Sequence, residues 1–450
     1  MKKNIKKCIE IVERDSKVIA KASRAPYFPV VMKSGNGAIL EDMDGNKYID
    51  MFSSAAVLNT GHSHPKVIQA IKDQVDNFIH FSTDYMYVEP QVQLAEMLTQ
   101  ITPGKFTKKV CFGLSGSDGN DGVIKLARSY TKRTKIISFI GSYHGSTYGA
   151  ISLSAISLNM RRKIGPLLPE IYHMPYPNCY RCAFAKKKES CSMECFKYMK
   201  MAFENYIPSE EVAAIIMEPI AGDLGFVLPP QKYMTELHNL CKTKGILFIV
   251  DEVQQGFGRT GKWFSIEHFG INPDIIIMGK SIASGLPLSA IVAREEIVDA
   301  LEMPAHLFTV QGNPVCTKAA IATIEVIQQE KLVEHANVLG EYMKNRFNHM
   351  KEKYELIGDV RGKGLSIGVE LVKDRMTKEK DTQAAIKICY RCWEKGVLLI
   401  FLAENILRVQ PPLVITEKEV DRALDIIEET IKEYIDGEIT DEALEVVKGW

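Results

Sequence analysis

Short, unbroken apolar runs alternate with amphipathic stretches through the middle of this chain. Residues 110–114, 136–140, 213–217, 246–250, 275–278 and 290–293 are largely continuous in apolar character. Strands buried on both faces of a parallel sheet read this way. Helical patterns separate several of them, as at 118–131 and 232–243. The alternation predicts a layered α/β domain with a mostly parallel sheet over residues 61–325. The two ends differ from this. Residues 37–50 read as a hairpin with Asp44-Gly45 in its turn. Beyond residue 330, long helical patterns enclose further strands, and 397–403 is an apolar run of strand length. Thr416 and Glu419 form a T-x-x-E capping box. Val420, Leu424, Ile427, Ile431 and Tyr434 follow at helical spacing and mark the final helix. Residues 1–60 and 326–450 are expected to join in one smaller α+β domain.

Composition narrows the class. At ~150 residues per domain, a chain of 450 residues holds two or three domains. Hydrophobic residues at 46% and charged residues at 25% are ordinary globular usage, which excludes a disordered or fibrous chain. Lys+Arg and Asp+Glu both number 56, so no basic excess points to nucleic acid. No run approaches the ~18 apolar residues of a membrane span. The basic start, Met1-Lys2-Lys3-Asn4-Ile5-Lys6-Lys7, lacks a following apolar region and reads as the beginning of an amphipathic helix, not a signal peptide. Ten cysteines without a secretion signal point to a reducing cytoplasm. Four of them, Cys179, Cys182, Cys191 and Cys195, fall in a C-x2-C-x8-C-x3-C pattern. With Lys186, Lys187, Lys188 and Glu189 between the pairs, this reads as a surface insertion with free thiols. Zinc or an iron–sulfur cluster is the alternative. Cys389 and Cys392, beside Tyr390 and Trp393, read as helix packing.

Candidate chemistry gathers where the strands end. Gly256-Phe257-Gly258-Arg259-Thr260-Gly261 matches a dinucleotide fingerprint, but residues 251–255 intervene between strand and glycines. The turn is therefore not tight, and a lone match is weak. Asp251 instead closes the 246–250 strand, where open α/β sheets place ligand groups. Lys280 follows the next strand, before a small-residue loop. A lysine so placed is partly desolvated and suits a Schiff base, and a nearby Asp can hold a pyridinium proton. Ser115-Gly116-Ser117-Asp118 opens the 118–131 helix after a strand, leaving backbone N–H groups for an anion. An ordinary N-cap would use the same residues. Tyr143-His144-Gly145 follows the 136–140 strand and offers a ring for stacking. Phosphate cradle, aromatic, carboxylate and lysine together suggest pyridoxal 5′-phosphate.

The whole chain resembles the class III (ω-type) aminotransferase family of fold type I enzymes that use pyridoxal 5′-phosphate. The motifs that carry the likeness are Gly61-His62-Ser63-His64-Pro65, Ser115-Gly116-Ser117, Tyr143-His144-Gly145, Glu218-Pro219-Ile220, the run 251–261, Lys280, Thr309 with Gly312-Asn313-Pro314, and Leu407-Arg408-Val409-Gln410-Pro411-Pro412-Leu413. The resemblance implies that Lys280 carries the cofactor as a Schiff base and that Asp251 pairs with the pyridine nitrogen. Val253 and Tyr143 would cover the ring faces, Gln254 would bond the ring oxygen, and Glu218 would lie beside the cofactor. Gly116 and Ser117 would hold the phosphate, with Thr309 from a neighbouring subunit. That sharing implies a homodimer or a dimer of dimers. Arg408 would grip the substrate carboxylate. Apart from the resemblance, Tyr85 and Asp84 are the candidates to lie near the pocket, where a substrate with a distal amine would need a second binding group.

Within the family the likeness is to the amino-acid racemase and 2-epimerase branch, through residues 140–149, 157–166, 304–309 and the terminal Gly449-Trp450. Asp118-Gly119, Ser53-Ser54-Ala55 and Asp223 each replace residues more usual in aminotransferases. The cysteine insertion is not part of this likeness. The expected activity is racemisation or 2-epimerisation at Cα of apolar branched-chain amino acids. Lys280 serves one face and Asp223, by the resemblance, the other, a role that would require its pKa to be raised; pairing with Arg408 in the free enzyme is the alternative for Asp223 and is compatible with it. An ω-aminotransferase of the 4-aminobutyrate or ornithine type is the alternative. A non-catalytic binding module is disfavoured because Lys280, Asp251 and Arg408 are all present.

Overall fold

The computed structural model describes residues 3–447 and 449. The first two residues of the basic start, and Trp450 of the terminal pair, lie outside the described residues. Two units divide the chain: residues 66–330, and residues 1–65 together with 331–450. The sequence expectation had set these boundaries five residues earlier, at 60 and 325.

The unit of residues 66–330 is built on a seven-stranded sheet. In chain order its strands are β1 (Lys108–Gly113), β2 (Lys135–Ile140), β3 (Ile171–Pro175), β4 (Val212–Met217), β5 (Leu247–Asp251), β6 (Ile275–Met278) and β7 (Ser289–Arg294). Across the sheet they run β1-β7-β6-β5-β4-β2-β3. Pairing is parallel from β3 through β6, and β7 is antiparallel to both its neighbours. Every residue of β4, β5 and β6 is buried, as continuous apolar runs require when both faces are covered. Helix α1 (Gly116–Thr131) covers one face: Val123, Leu126 and Ala127 pack with Ile216, Ile249 and Ile277. Each of these large apolar side chains contributes about 1.5–3 kcal/mol by leaving water.

Strand β3 (Ile171-Tyr172-His173-Met174-Pro175) did not stand out in the sequence because it is only half-buried. Its closing proline is tolerated because β3 lies at the sheet edge. From β2 the chain passes outward to β3, then returns across to β4 on the other side of β2. Such a reversal opens a crevice at the carboxyl ends of the strands. The segments that follow β2 and β4 carry Tyr143, His144 and Glu218.

In the other unit, residues 39–42 and 47–50 form the expected hairpin, turning at Asp44-Gly45 with Gly45 at φ +86°. Val397 and Leu398 pair parallel with Ile49 and Asp50, which joins the two ends of the chain in one sheet. A second, antiparallel sheet contains Ile357–Lys363, Ser366–Asp374, Ile400–Leu402 and Ile406–Val409. Helices Leu332–Lys353, Thr382–Lys395 and Glu417–Ile435 accompany it. The Thr416–Glu419 capping box is present. Glu417–Ile435 is not the last helix, since Glu442–Val446 follows; a five-residue turn carries too little periodicity to read. Cys389 and Cys392 are buried on Thr382–Lys395, in packing roles.

Candidate active site

Three segments converge around Asp251, the last residue of β5. Its Oδ2 accepts from His144 Nδ1 at 2.7 Å and from Asn120 Nδ2 at 2.9 Å, and its Oδ1 accepts from the Val253 amide at 3.0 Å. The carboxylate is almost fully buried, so this donor set compensates its desolvation. Asn120 also donates to the carbonyls of Gly116 and His144 at 2.9 Å, tying α1, the post-β2 loop and β5 together. The sequence reading gave neither Asn120 nor His144 a role. The available signal for Asn120 was a polar residue at i−3 and i−7 to Val123 and Ala127, on the apolar face of α1.

The start of α1 is shaped for an anion. Ser115 caps the helix, and Asp118 Oδ2 accepts from the Ser115 and Leu114 amides at 2.9 and 2.8 Å. The ordinary N-cap reading therefore holds for Ser115 and Asp118. It leaves the first-turn amides of Gly116 and Ser117 without an intrahelical acceptor, at the positive end of a sixteen-residue helix. Close packing reserves this spot for small residues. A Cβ on Gly116 would stand 2.7 Å from Val253 Cγ1, and one on Gly145 would collide with Ser117. Gly145 sits at φ +128°, which favours glycine independently. The Ser117 hydroxyl accepts from the Ser146 amide at 3.2 Å.

Lys280 follows β6 and is half-buried in a 3-10 turn, with φ +47°. A left-handed conformation costs a lysine about 1–2 kcal/mol, and such strain collects at functional positions. Its neighbour Gly279 packs on Gly116, where a Cβ would lie 3.2 Å from the Gly116 amide nitrogen. Lys280, the α1 start and Val253 thus belong to one grouping. Val253 and Tyr143 are both half-buried there.

A second carboxyl pair adjoins Asp251. Glu218, just after β4, accepts from the Tyr143 amide at 3.1 Å and the Gly222 amide at 2.9 Å. Burial pushes its pKa up to about 7; His144 acts against this, while Asp251 and Asp223 reinforce it. Asp223 is buried, and its Oδ1 accepts from Gln254 Nε2 at 3.0 Å. Gln254 Oε1 accepts in turn from Gln255 at 3.2 Å. Gly222 is required by close approach, because a Cβ there would run into the Gln254 amide.

Tyr85 and Thr309 form a separate grouping. Both are exposed. Their segments are joined through Gln311, whose Nε2 donates to Asp84 at 2.9 Å and whose carbonyl accepts from Thr83 Oγ1 at 2.9 Å. Arg408 belongs to the other unit. It is buried on strand Ile406–Val409, and its Nε and Nη2 donate to Gln410 Oε1 at 2.9 and 2.6 Å. The glycine run 256–261 is a chain of turns that leads into a short 3-10 segment, Ser265–Phe269. Among the described residues the run is followed by that 3-10 segment and not by an α-helix, so the strand–glycine–helix order of a dinucleotide cradle is missing there.

The donor set fits pyridoxal 5′-phosphate: free amides at a helix start for a phosphate, a fixed carboxylate for a pyridinium, two half-buried side chains for its ring faces, and a strained lysine for its aldehyde. Comparisons with known proteins agree. Residues 19–431 match the family described as aminotransferase class-III. The leucine/methionine racemase of Thermococcus litoralis is 48% identical over 98% of this chain and 99% of its own. The isoleucine 2-epimerase of Lentilactobacillus buchneri is 47% identical over 96% of this chain and 97% of its own. Among solved structures, the ω-transaminase from Pseudomonas jessenii in complex with PMP superposes with a TM-score of 0.88 at 28% identity, covering 95% of this chain and 99% of that one.

Proposed function

The chain belongs to the class-III aminotransferase family, and from that premise we propose that it is a racemase or 2-epimerase acting at Cα of apolar branched-chain amino acids. Its cofactor is pyridoxal 5′-phosphate, which when bound supplies an electron sink that acidifies the substrate Cα–H. The rest falls to this chain's own residues. Gly116 and Ser117 bind the phosphate through their amides, and Asp251 keeps a proton on the pyridine nitrogen. Val253 and Tyr143 position the ring, and Gln254 bonds its oxygen. Lys280 would hold the cofactor and would move the proton at the substrate Cα on one face. Asp223 handles the proton on the other face. Arg408 receives the α-carboxylate in this reading, by the family resemblance, with its guanidinium oriented by Gln410.

One observation carries the choice of racemisation over amino transfer. A second acid–base side chain besides Lys280 is buried in the cluster: Asp223, held by Gln254 and close enough to raise the pKa of the Glu218 carboxyl. Transamination needs only one group to shuttle the proton from Cα to the cofactor. Inversion at Cα needs a donor on each face.

The reading includes a homodimer. Phe78, Ile79, Phe81, Tyr85, Met86 and Tyr87 are exposed large apolar side chains within ten residues of chain, which supports a subunit interface there. Thr309 is exposed on a loop tied to that segment through Gln311, which supports its serving a second copy. The reading also includes a cytoplasmic setting, supported by ten cysteines that are all free. No helix among the described residues is long and apolar enough to cross a membrane.

Chiral chromatography of L-isoleucine incubated with the holoenzyme, with and without a keto acid, tests the proposal. D-allo-isoleucine is expected without any keto acid, and Asp223→Asn should suppress it while amine exchange with a keto acid persists at a low rate. Amine transfer that strictly requires the keto acid, with no inversion, would make the protein an aminotransferase.

A further inference from the structure

The cysteine insertion lies outside the chemistry above. It connects β3 to helix Glu194–Asn205, within the unit of residues 66–330. Cys179, Cys182, Cys191 and Cys195 are all half-buried, and all four line one small cavity together with Tyr176, Pro230 and Tyr233. One pair lies in a C-x2-C stretch and the other where helix Glu194–Asn205 begins, and the intervening loop folds back so that both pairs line the same cavity. We propose that these four cysteines bind a structural zinc ion as thiolates.

Three features of the surroundings support the assignment. First, Lys186 and Lys188 line the same cavity as the four thiols, so cationic side chains stand by to offset thiolate charge. Second, the Met193 amide donates to Cys191 Sγ at 3.3 Å, the kind of N–H···S contact that supports a thiolate's charge. Third, the Tyr233 hydroxyl lines this cavity, is fully buried, and has no hydrogen-bond partner among the described residues. A buried hydroxyl without a partner is costly. A metal-bound thiolate at Cys195 would give it an acceptor.

Charge balances as follows. Four thiols release four protons to solvent as one Zn²⁺ enters, leaving a centre of charge −2. The side chains of Lys186 and Lys188 offset part of that charge. One of the protons released is the one that Cys191 now shares with Glu194 Oε2 at 3.2 Å. Among the described residues, no three of these sulfurs lie within 4.8 Å of one another, so the ion draws them inward. The exposed loop from Ala185 to Ser190 has the slack to allow it. The centre would brace Tyr176, whose hydroxyl donates to the Glu218 carbonyl at 2.9 Å, and so bears on the loop that carries Asp223.

The test is metal content. Holoenzyme purified under reducing conditions without chelator, from zinc-supplied cells, is analysed by plasma mass spectrometry beside the Cys179→Ser/Cys191→Ser double variant. About one zinc per chain is expected in the wild type, and roughly a tenth of that or less in the variant. Cobalt exchange should give thiolate-to-metal charge-transfer absorption in the wild type alone. The bound cofactor's absorbance checks that the variant has folded, and Tyr233→Phe, which leaves all four ligands in place, should hold zinc more weakly. Wild-type protein that stays below roughly a tenth of a zinc per chain even after added zinc overturns the proposal. So does iron in place of zinc, undiminished zinc in a folded double variant, or two disulfides found among the four cysteines.

Discussion

Glu218→Gln isolates the electrostatic cost built into the centre of the site. Burial, reinforced by Asp251 and Asp223, pushes the Glu218 carboxyl from its usual 4.5 up to about 7. At ~1.36 kcal/mol per tenfold change in proton affinity, that rise is worth about 3 kcal/mol. The sign follows from which state holds the proton. Below the unfolded value, both folded and unfolded chains carry a neutral Glu218 and there is no penalty. Between the two values the unfolded chain ionises and the folded one does not, so stability falls as pH rises. Above about 7 the full penalty remains. Glutamine is neutral throughout and escapes it. The unfolding entropy of ~2.1 cal/mol/K per residue gives a 450-residue chain close to 1 kcal/mol per degree. Thermal melts of wild-type and variant holoenzyme, at one scan rate and ionic strength, provide the assay. The variant's Tm relative to wild type should rise by about 3 °C between about pH 5 and about pH 8. The amide loses one of the two acceptors that serve the Tyr143 and Gly222 amides, but that loss is the same at both pH values and cancels. A difference that is flat across pH, or that grows toward acid, would refute the assignment of a perturbed carboxyl at Glu218.

Lys280→Ala should abolish the Schiff-base absorbance of the purified protein and lower turnover by at least about 10²–10⁴-fold, read by spectrophotometry and chiral product analysis. Gly145→Ala would force a side chain onto Ser117 at φ +128°; it should weaken cofactor retention by about tenfold or more, measured by fluorescence titration of the apoenzyme. Gln311→Ala removes the link to Asp84 that steadies the Thr309 loop. Its loss of about 1 kcal/mol should speed cofactor release severalfold without changing the absorbance of the bound form, followed by dilution into a scavenger.

The sheet was legible because its strands announce themselves twice. Residues 213–217 and 246–250 are too short and too uniformly apolar for surface helices, and each is followed by turn residues or a helical pattern. Edge strand β3 escaped notice because half of it faces solvent, so His173 and Tyr172 interrupt the apolar run. The candidate site divides in the same way. Asp251 and Lys280 could be picked out because each follows a buried strand, where a charge is out of place unless used. Asn120 and His144 could not, because their roles depend on three segments meeting at one oxygen, Asp251 Oδ2, and no local pattern encodes that meeting. The tie between Asp84 and Gln311 spans more than two hundred residues of chain and was invisible for the same reason. Motif likeness supplied a role for Thr309, while Tyr85 was expected only to lie near the pocket. The structure supplies the linkage between their segments.

What a site of this family does with the proton taken from Cα depends on where the next available proton sits. The two carboxyls after β4 are arranged unequally. Asp223 accepts a hydrogen bond from the Gln254 amide. Glu218 is buried and repelled by Asp251 and Asp223, which favours its neutral form. A carboxyl raised to about 7 both holds and gives up a proton near neutral pH, and it does so beside Asp223. Gly222 makes the arrangement possible: its amide satisfies Glu218, and its missing side chain lets the Gln254 amide reach Asp223. A longer acid at position 223 would have to fold back against that amide. The short aspartate is therefore the better length for a carboxyl that must keep contact with Gln254 while serving as the second proton donor.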